Sequence, residues 1–167
     1  PNEDIADYLV QRRVDFALGY RDLDHPLVQA EPSIPVSLEC VVPQGHPLAQ
    51  LDSVDFSDML EHEMVTFYPE TLIGDHLRKA CESLGREPKM SAMVRYADDA
   101  CTMVEQGLGI SLNYQYTVTA GRFPTLTTIP ISDTQQRLYF LRHNGISMSN
   151  KVREFYELAK TNLRSIT

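Results

Sequence analysis

Segments of helical apolar spacing alternate with short strand-like runs along the whole chain, and that alternation restricts the fold to the α/β class. Asn2 or Asp4 is placed to cap an opening helix in which Ile5, Tyr8 and Leu9 recur at helical spacing, with Arg12 and Arg13 near its C-terminal end. Residues 14–19 then read as a buried strand that Gly19 allows to turn sharply. A helix feeding a strand is the second half of a parallel crossover unit, so the chain is expected to begin inside a domain. After a polar, proline-punctuated loop with a short strand near Leu27 and Val28, residues 36–42 form a strand that becomes continuously apolar, as in a sheet covered on both faces. A short capped helix over 54–60, a strand over 64–68 and a helix marked by Leu72, Leu77, Ala80, Cys81 and Leu84 follow, the last closed by Gly85. Residues 89–96 predict another strand, and Asp98 is expected to cap the helix carrying Ala100, Met103, Val104 and Leu108. Strands over 125–131 and 137–141 precede a final helix over 149–163, with Val152, Phe155, Tyr156 and Ala159 facing inward. Strands that alternate with helices imply a largely parallel sheet.

Charge and composition exclude several functions. Fifteen basic against 23 acidic residues give a formal net charge of -8, whereas gripping a phosphate backbone needs clustered Lys and Arg. The chain by itself is therefore not expected to hold DNA. No apolar run approaches the ~18 residues needed to cross a bilayer, and the polar start Asn2-Glu3-Asp4 is unlike a secretory leader, so no membrane contact and a cytoplasmic location are expected. Cys40, Cys81 and Cys101 are odd in number, widely spaced and without a CxxC pair. They read as reduced, buried thiols, neither a disulfide framework nor a zinc site.

Catalytic and metal chemistry find no foothold. The five histidines are scattered, and His62 between Glu61 and Glu63 lacks the spacing that places two imidazoles on one helical face. No GxSxG is present, and Gly107-Leu108-Gly109 has neither the third glycine of a dinucleotide loop nor the GK[ST] of a nucleoside-triphosphate loop. No catalytic residue, metal ligand or cofactor is expected. Two strand-to-helix junctions, Phe67-Tyr68-Pro69-Glu70-Thr71 and Arg95-Tyr96-Ala97-Asp98, do aim backbone N–H groups outward, and such ends attract carboxylates and other anions. Ordinary capped helices facing water would carry the same residues.

The run Leu84-Gly85-Arg86-Glu87-Pro88, followed by a strand and then Met103-Val104-Glu105-Gln106-Gly107-Leu108-Gly109-Ile110-Ser111-Leu112, resembles the "G-x-x-P" and "lVaaGlGialvP" stretches of the effector-binding domain of LysR-type transcriptional regulators. Val14-Asp15-Phe16-Ala17-Leu18 resembles that family's "lDlai" strand, and Val41 to Ala49 its "lvvpxxHPLA". The motifs fall in family order across nearly the whole chain.

The resemblance implies a periplasmic-binding-protein-like fold of two α/β subdomains, residues 1–38 with 136–167 and residues 39–135, joined by two crossing strands with a small-molecule effector held between them. It implies effector contacts at Tyr20, Arg21, Phe67, Tyr68, Pro69, Thr71, Tyr96, Ala97 and Asp98, with Arg21 pairing a carboxylate and Phe67 or Tyr68 packing its apolar part. It also implies a homodimer or homotetramer that meets DNA through a helix-turn-helix domain outside this chain. Two departures stand out: Asn113-Tyr114 replaces the family's proline after the "GialvP" strand, and the family's first strand-helix-strand has no counterpart here. A solute-binding protein of a transporter shares the architecture and is the alternative reading. An enzyme on the same hinge fold is a third, but it needs an acid–base pair or nucleophile that the sequence does not show.

Overall fold

The computed structural model describes the backbone of residues 2–20, 23–115, 117–118 and 121–164, and the side chains of these residues except 2–4 and 164. In chain order the elements are α1 (Asn2–Val10), β1 (Phe16–Gly19), β2 (Val28–Val36), β3 (Leu38–Pro43), a single 3-10 turn (Pro47–Gln50), α2 (Phe56–Met59), β4 (Glu63–Phe67), α3 (Leu72–Leu84), β5 (Lys89–Val94), α4 (Ala97–Glu105), β6 (Ser111–Tyr114), β7 (Leu126–Pro130), β8 (Gln136–His143) and α5 (Asn150–Arg164). They form two compact units, Pro1–Val36 with Gln136–Thr167, and Ser37–Gln135. The expected caps Asn2 and Asp4 lie outside the described side chains.

In the first unit β8 lies between β1 and β2 and runs antiparallel to both. The period-2 pleat sorts its side chains onto two faces. Leu141, paired with Ala17 and Ala30, packs with Leu9, Leu23 and Val28 beneath α1. Phe140 points the other way, its ring 5.1 Å from that of Tyr156 on α5, and Phe16 meets the same tyrosine at 5.2 Å. β2 runs nine residues despite Pro32 and Pro35, with a register shift between them. It lies at one end of the sheet order, where a missing backbone N–H costs no ladder bond. Tyr156 is 4% exposed, but Phe155, expected to face inward, is 61% exposed. It lies one position off the Val152–Tyr156–Ala159 stripe, on the flank of the helix beside Phe16.

In the second unit β3 is the middle strand of the antiparallel order β6-β3-β7, and residues 38–42 are all buried. β4 and β5 pair in parallel, and Val65 N and Ile110 N tie β4 to the approach of β6 at 2.8 Å each. Val41, Val65, Phe67, Val94, Ala100, Val104 and Leu126 form its core. The α/β class holds, but the ladders are mixed. Among the described residues only the β4-α3-β5 connection, which crosses over through a long helix, yields a parallel ladder of several pairs; the other ladders are antiparallel. Cys40, Cys81 and Cys101 are free and buried, as expected. Burial pushes the Cys40 thiol up to about 12 and that of Cys101 to about 11, which keeps both protonated and unreactive.

Two close fits position the ends of these strands. Gly74, in the first turn of α3, lies so near the end of β4 that a Cβ there would stand 2.1 Å from the Tyr68 carbonyl oxygen. His46 closes the turn after β3: its Nδ1 accepts from Leu48 N at 3.2 Å, and its ring lies 4.7 Å from that of His62. Burial first, and then the neighbouring His62, hold the His46 imidazole below its ordinary value of 6.5.

Gly74→Ala should therefore destabilise the chain by roughly 2–4 kcal/mol in urea titrations, the cost of forced overpacking against backbone. Gly45→Ala, where nothing lies within 4 Å, should leave the midpoint nearly unchanged. The pH dependence has a defined sign. Folding disfavours protonated His46, so its contribution is intact above about 6.5 and is lost as pH falls from there toward the lowered folded value. The melting temperature should decline across that interval, and His46→Asn, which keeps a capping acceptor, should flatten the decline.

Candidate functional site

β4 and β5 end side by side, with Phe67 opposite Val94 and Tyr68 N donating to Val94 O at 3.1 Å. Each strand turns directly into a helix, so the starts of α3 and α4 emerge together at the carboxyl edge of a parallel pair. This is the place where open α/β sheets hold ligands. The four first N–H groups of a helix have no partner within it and carry its positive end.

The two starts are finished differently. At α3, Thr71 is the N-cap: its Oγ1 accepts from Gly74 N at 3.0 Å and donates to Tyr68 O at 2.7 Å. At α4 the cap position is Tyr96, not Asp98 as the sequence suggested, and among the described residues no side chain makes a cap hydrogen bond to the first turn. The helix begins two residues earlier than a capping Asp98 requires, which places Asp98 and Asp99 inside the first turn. There Asp98 pairs with Arg122 at 2.8 Å. The first-turn N–H groups of α4 thus face outward without a side-chain acceptor, beside the Tyr96 ring, which is 66% exposed.

The residues expected from the sequence separate into groups. Tyr68, Pro69, Thr71, Tyr96, Ala97 and Asp98 all fall on these two junctions. Phe67 is at the same place in the chain, but its ring belongs to the unit's core at 3% exposure, so Tyr68 supplies the accessible aromatic surface. Tyr20 follows β1 in the first unit, half-buried, its phenol raised by burial. Arg21 lies outside the described residues. Asn113 and Tyr114 are both buried, and the Asn113 amide donates to Cys101 Sγ at 3.3 Å. The polar side chains that stand in place of proline therefore belong to the interior of the second unit.

Sequence reasoning missed Arg95. Its guanidinium lies 5.1 Å from the Tyr68 ring centroid and pairs with Glu70 at 2.9 Å, so one residue at the end of β5 steadies the turn after β4. The junction Arg95-Tyr96 was visible in the sequence, but the partner across the sheet was not. His62 with Glu61 and Glu63 forms no ligand cluster, and no group of three metal-type side chains occurs among the described residues.

A family model described as the LysR substrate binding domain matches residues 1–164, and the chain belongs to that family. The HTH-type transcriptional regulator SsuR of Burkholderia cenocepacia is 25% identical over 111 residues, which is 66% of this chain and 36% of that protein. The matched stretch thus spans little more than a third of that curated relative. The effector-binding domain of QuiR, solved with shikimate, superposes with a TM-score of 0.74 at 19% identity, over 98% of this chain and 78% of that one. HinK, a LysR family regulator from Pseudomonas aeruginosa, gives 0.78 at 18% identity, over 99% and 58%. The CcmR regulatory domain of Synechocystis, solved with 2-PG, gives 0.78 at 16%, over 99% and 79%. These likenesses establish the periplasmic-binding-protein-like α/β fold of LysR effector domains.

Removing the one side-chain cap at the site has a defined cost. Thr71→Ala should lower stability by about 1 kcal/mol in chemical denaturation, and Thr71→Ser, which restores the oxygen, should recover most of it.

Proposed function

We propose that this chain is the sensing module of a LysR-type transcriptional regulator, binding a small carboxylate at the junctions that follow β4 and β5. The observation that carries the reading is the first turn of α4 without a side-chain cap, with the exposed Tyr96 at its start and the exposed Tyr68 on the neighbouring junction. Backbone N–H groups at a helix start receive an anionic oxygen, and the two aromatic rings cover the rest of a small molecule. Arg95 and Arg122 are already committed to Glu70 and Asp98, so on the described residues the helix start supplies the positive potential. That relatives are solved with shikimate and with 2-PG supports a small-molecule effector.

In the intact regulator, binding shifts the population of conformations in a homodimer or homotetramer whose helix-turn-helix domains contact DNA. The protein acts in the cytoplasm and performs no catalysis. Membership of a family of transcriptional regulators supports the non-catalytic part, and the raised, buried thiols make poor nucleophiles. Family membership favours a regulator over a transporter's solute-binding protein.

Thermal-shift titration of the chain with shikimate and a panel of aromatic and hydroxylated carboxylates tests the site, since a ligand specific to the folded state raises the melting temperature by mass action. Tyr96→Ala, at an exposed position, should leave the unliganded melting temperature unchanged and reduce the ligand-induced rise, and Arg21→Ala is the companion variant. Carboxylates that stabilise the Tyr96→Ala chain as well as the parent would place binding elsewhere.

A further inference from the structure

The side chain of Arg142 is half-buried under α5, yet it makes no hydrogen bond or ion pair with any carboxylate among the described residues. It lies on the middle strand of its sheet, opposite Phe16 on one side and Gln29 on the other. A guanidinium withdrawn from water without an acceptor is costly, and the usual remedy is a bidentate carboxylate or phosphate. Here it borders a cavity of about 510 Å³, within the range that accommodates a small metabolite. Gln29, Asn144 and Ser147 bring amide and hydroxyl groups to the same wall, and Arg153 from α5 brings a second guanidinium.

The two acidic residues on the wall do not fill Arg142's place. Glu31 accepts from the Tyr156 hydroxyl at 3.0 Å and pairs with Lys160 at 2.5 Å, and Glu157 reaches the same lysine at 4.0 Å. The Tyr156 phenol is pushed up to about 12, by burial first and then by Glu31, so it stays a donor to that carboxylate. The turn itself is shaped by the chain: Asn144 N donates to Leu27 O at 2.7 Å, Arg153 Nη2 reaches Met148 O at 3.5 Å, and Ser149 caps α5. With the first turn of α5 already capped, the anion-seeking groups are the two arginines.

We propose that this cavity is a second anion site, distinct from the junctions after β4 and β5, which takes a small organic molecule through one carboxylate or phosphate group on Arg142 and Arg153. Gln29, Asn144 and Ser147 then serve its hydroxyl or carbonyl groups. The site lies wholly within the first unit and does not depend on the effector reading.

Nitrogen-15 correlation spectra of the labelled chain, titrated at constant ionic strength with inorganic phosphate, acetate or chloride, test it. Phosphate and acetate should give saturable shifts at the Asn144, Gly145 and Ser147 amides and at the Arg142 Nε–H, and chloride should not. Arg142→Gln should abolish saturation, and Arg153→Gln, an exposed change, should weaken binding by roughly tenfold, the loss of one charge-assisted contact. Tyr96→Ala should leave these shifts unchanged, whatever it does to effector binding. Linear shifts matching those of chloride would overturn the proposal, as would undiminished affinity in Arg153→Gln even if Arg142→Gln failed to fold.

Discussion

The first unit is held together by one strand. β8 supplies both neighbours of its sheet with hydrogen bonds and sends Leu141 to one face and Phe140 to the other. Without it, β1 and β2 share no ladder, α1 loses Leu141 beneath Leu9, and Tyr156 on α5 loses one of the two rings it packs on. Both aromatic and aliphatic halves of that core are therefore conditional on a pairing between residues more than a hundred positions apart. The same strand carries Arg142, whose side chain pairs with no carboxylate among the described residues.

The second unit depends on a different constraint, the close approach of a helix start to a strand end. Gly74 allows α3 to rest on the Tyr68 carbonyl, Thr71 binds both that carbonyl and the first turn, and Arg95 lies across the Tyr68 ring. These contacts hold the α3 junction in one geometry while the neighbouring start of α4 keeps its N–H groups free of side-chain acceptors. A rigid wall beside an open donor set is the arrangement that preorganised binding requires. Carboxylates at Asp98 and Asp99 in the first turn temper the positive potential of that helix start.

Local chemistry was legible in the sequence, and long-range pairing was not. The helix from Leu72 to Leu84 could be read because its cap, apolar stripe and terminating Gly85 lie within one window; Gly85 does adopt the left-handed conformation. Antiparallel order around β3 and β8 depends on which strands meet, and alternation of elements says nothing of that. The cap of α4 was misplaced because Asp98 is a good capping residue in general, whereas here the helix starts earlier and Asp98 finds Arg122. Phe155 was assigned inward since a one-residue error in phase is invisible until the sheet beneath the helix is known. Arg95 and Arg142 carry no local sequence signal of their own; their significance comes from what stands, or does not stand, across the sheet.

The interruption of the first unit by residues 37–135 also governs the order in which the chain can acquire structure. A ribosome delivers roughly 5–20 residues each second, so the inserted unit is complete and able to close its own core while β1 and β2 still wait for β8. During that interval Leu18, Val28 and Ile34 have no sheet to enter. Pairing across such a sequence separation is intrinsically slow, which makes the final strand the step most exposed to competition from other chains. Prolines 32 and 35 in β2 are well placed to discourage that competition, because they interrupt the donor row that a foreign strand would use.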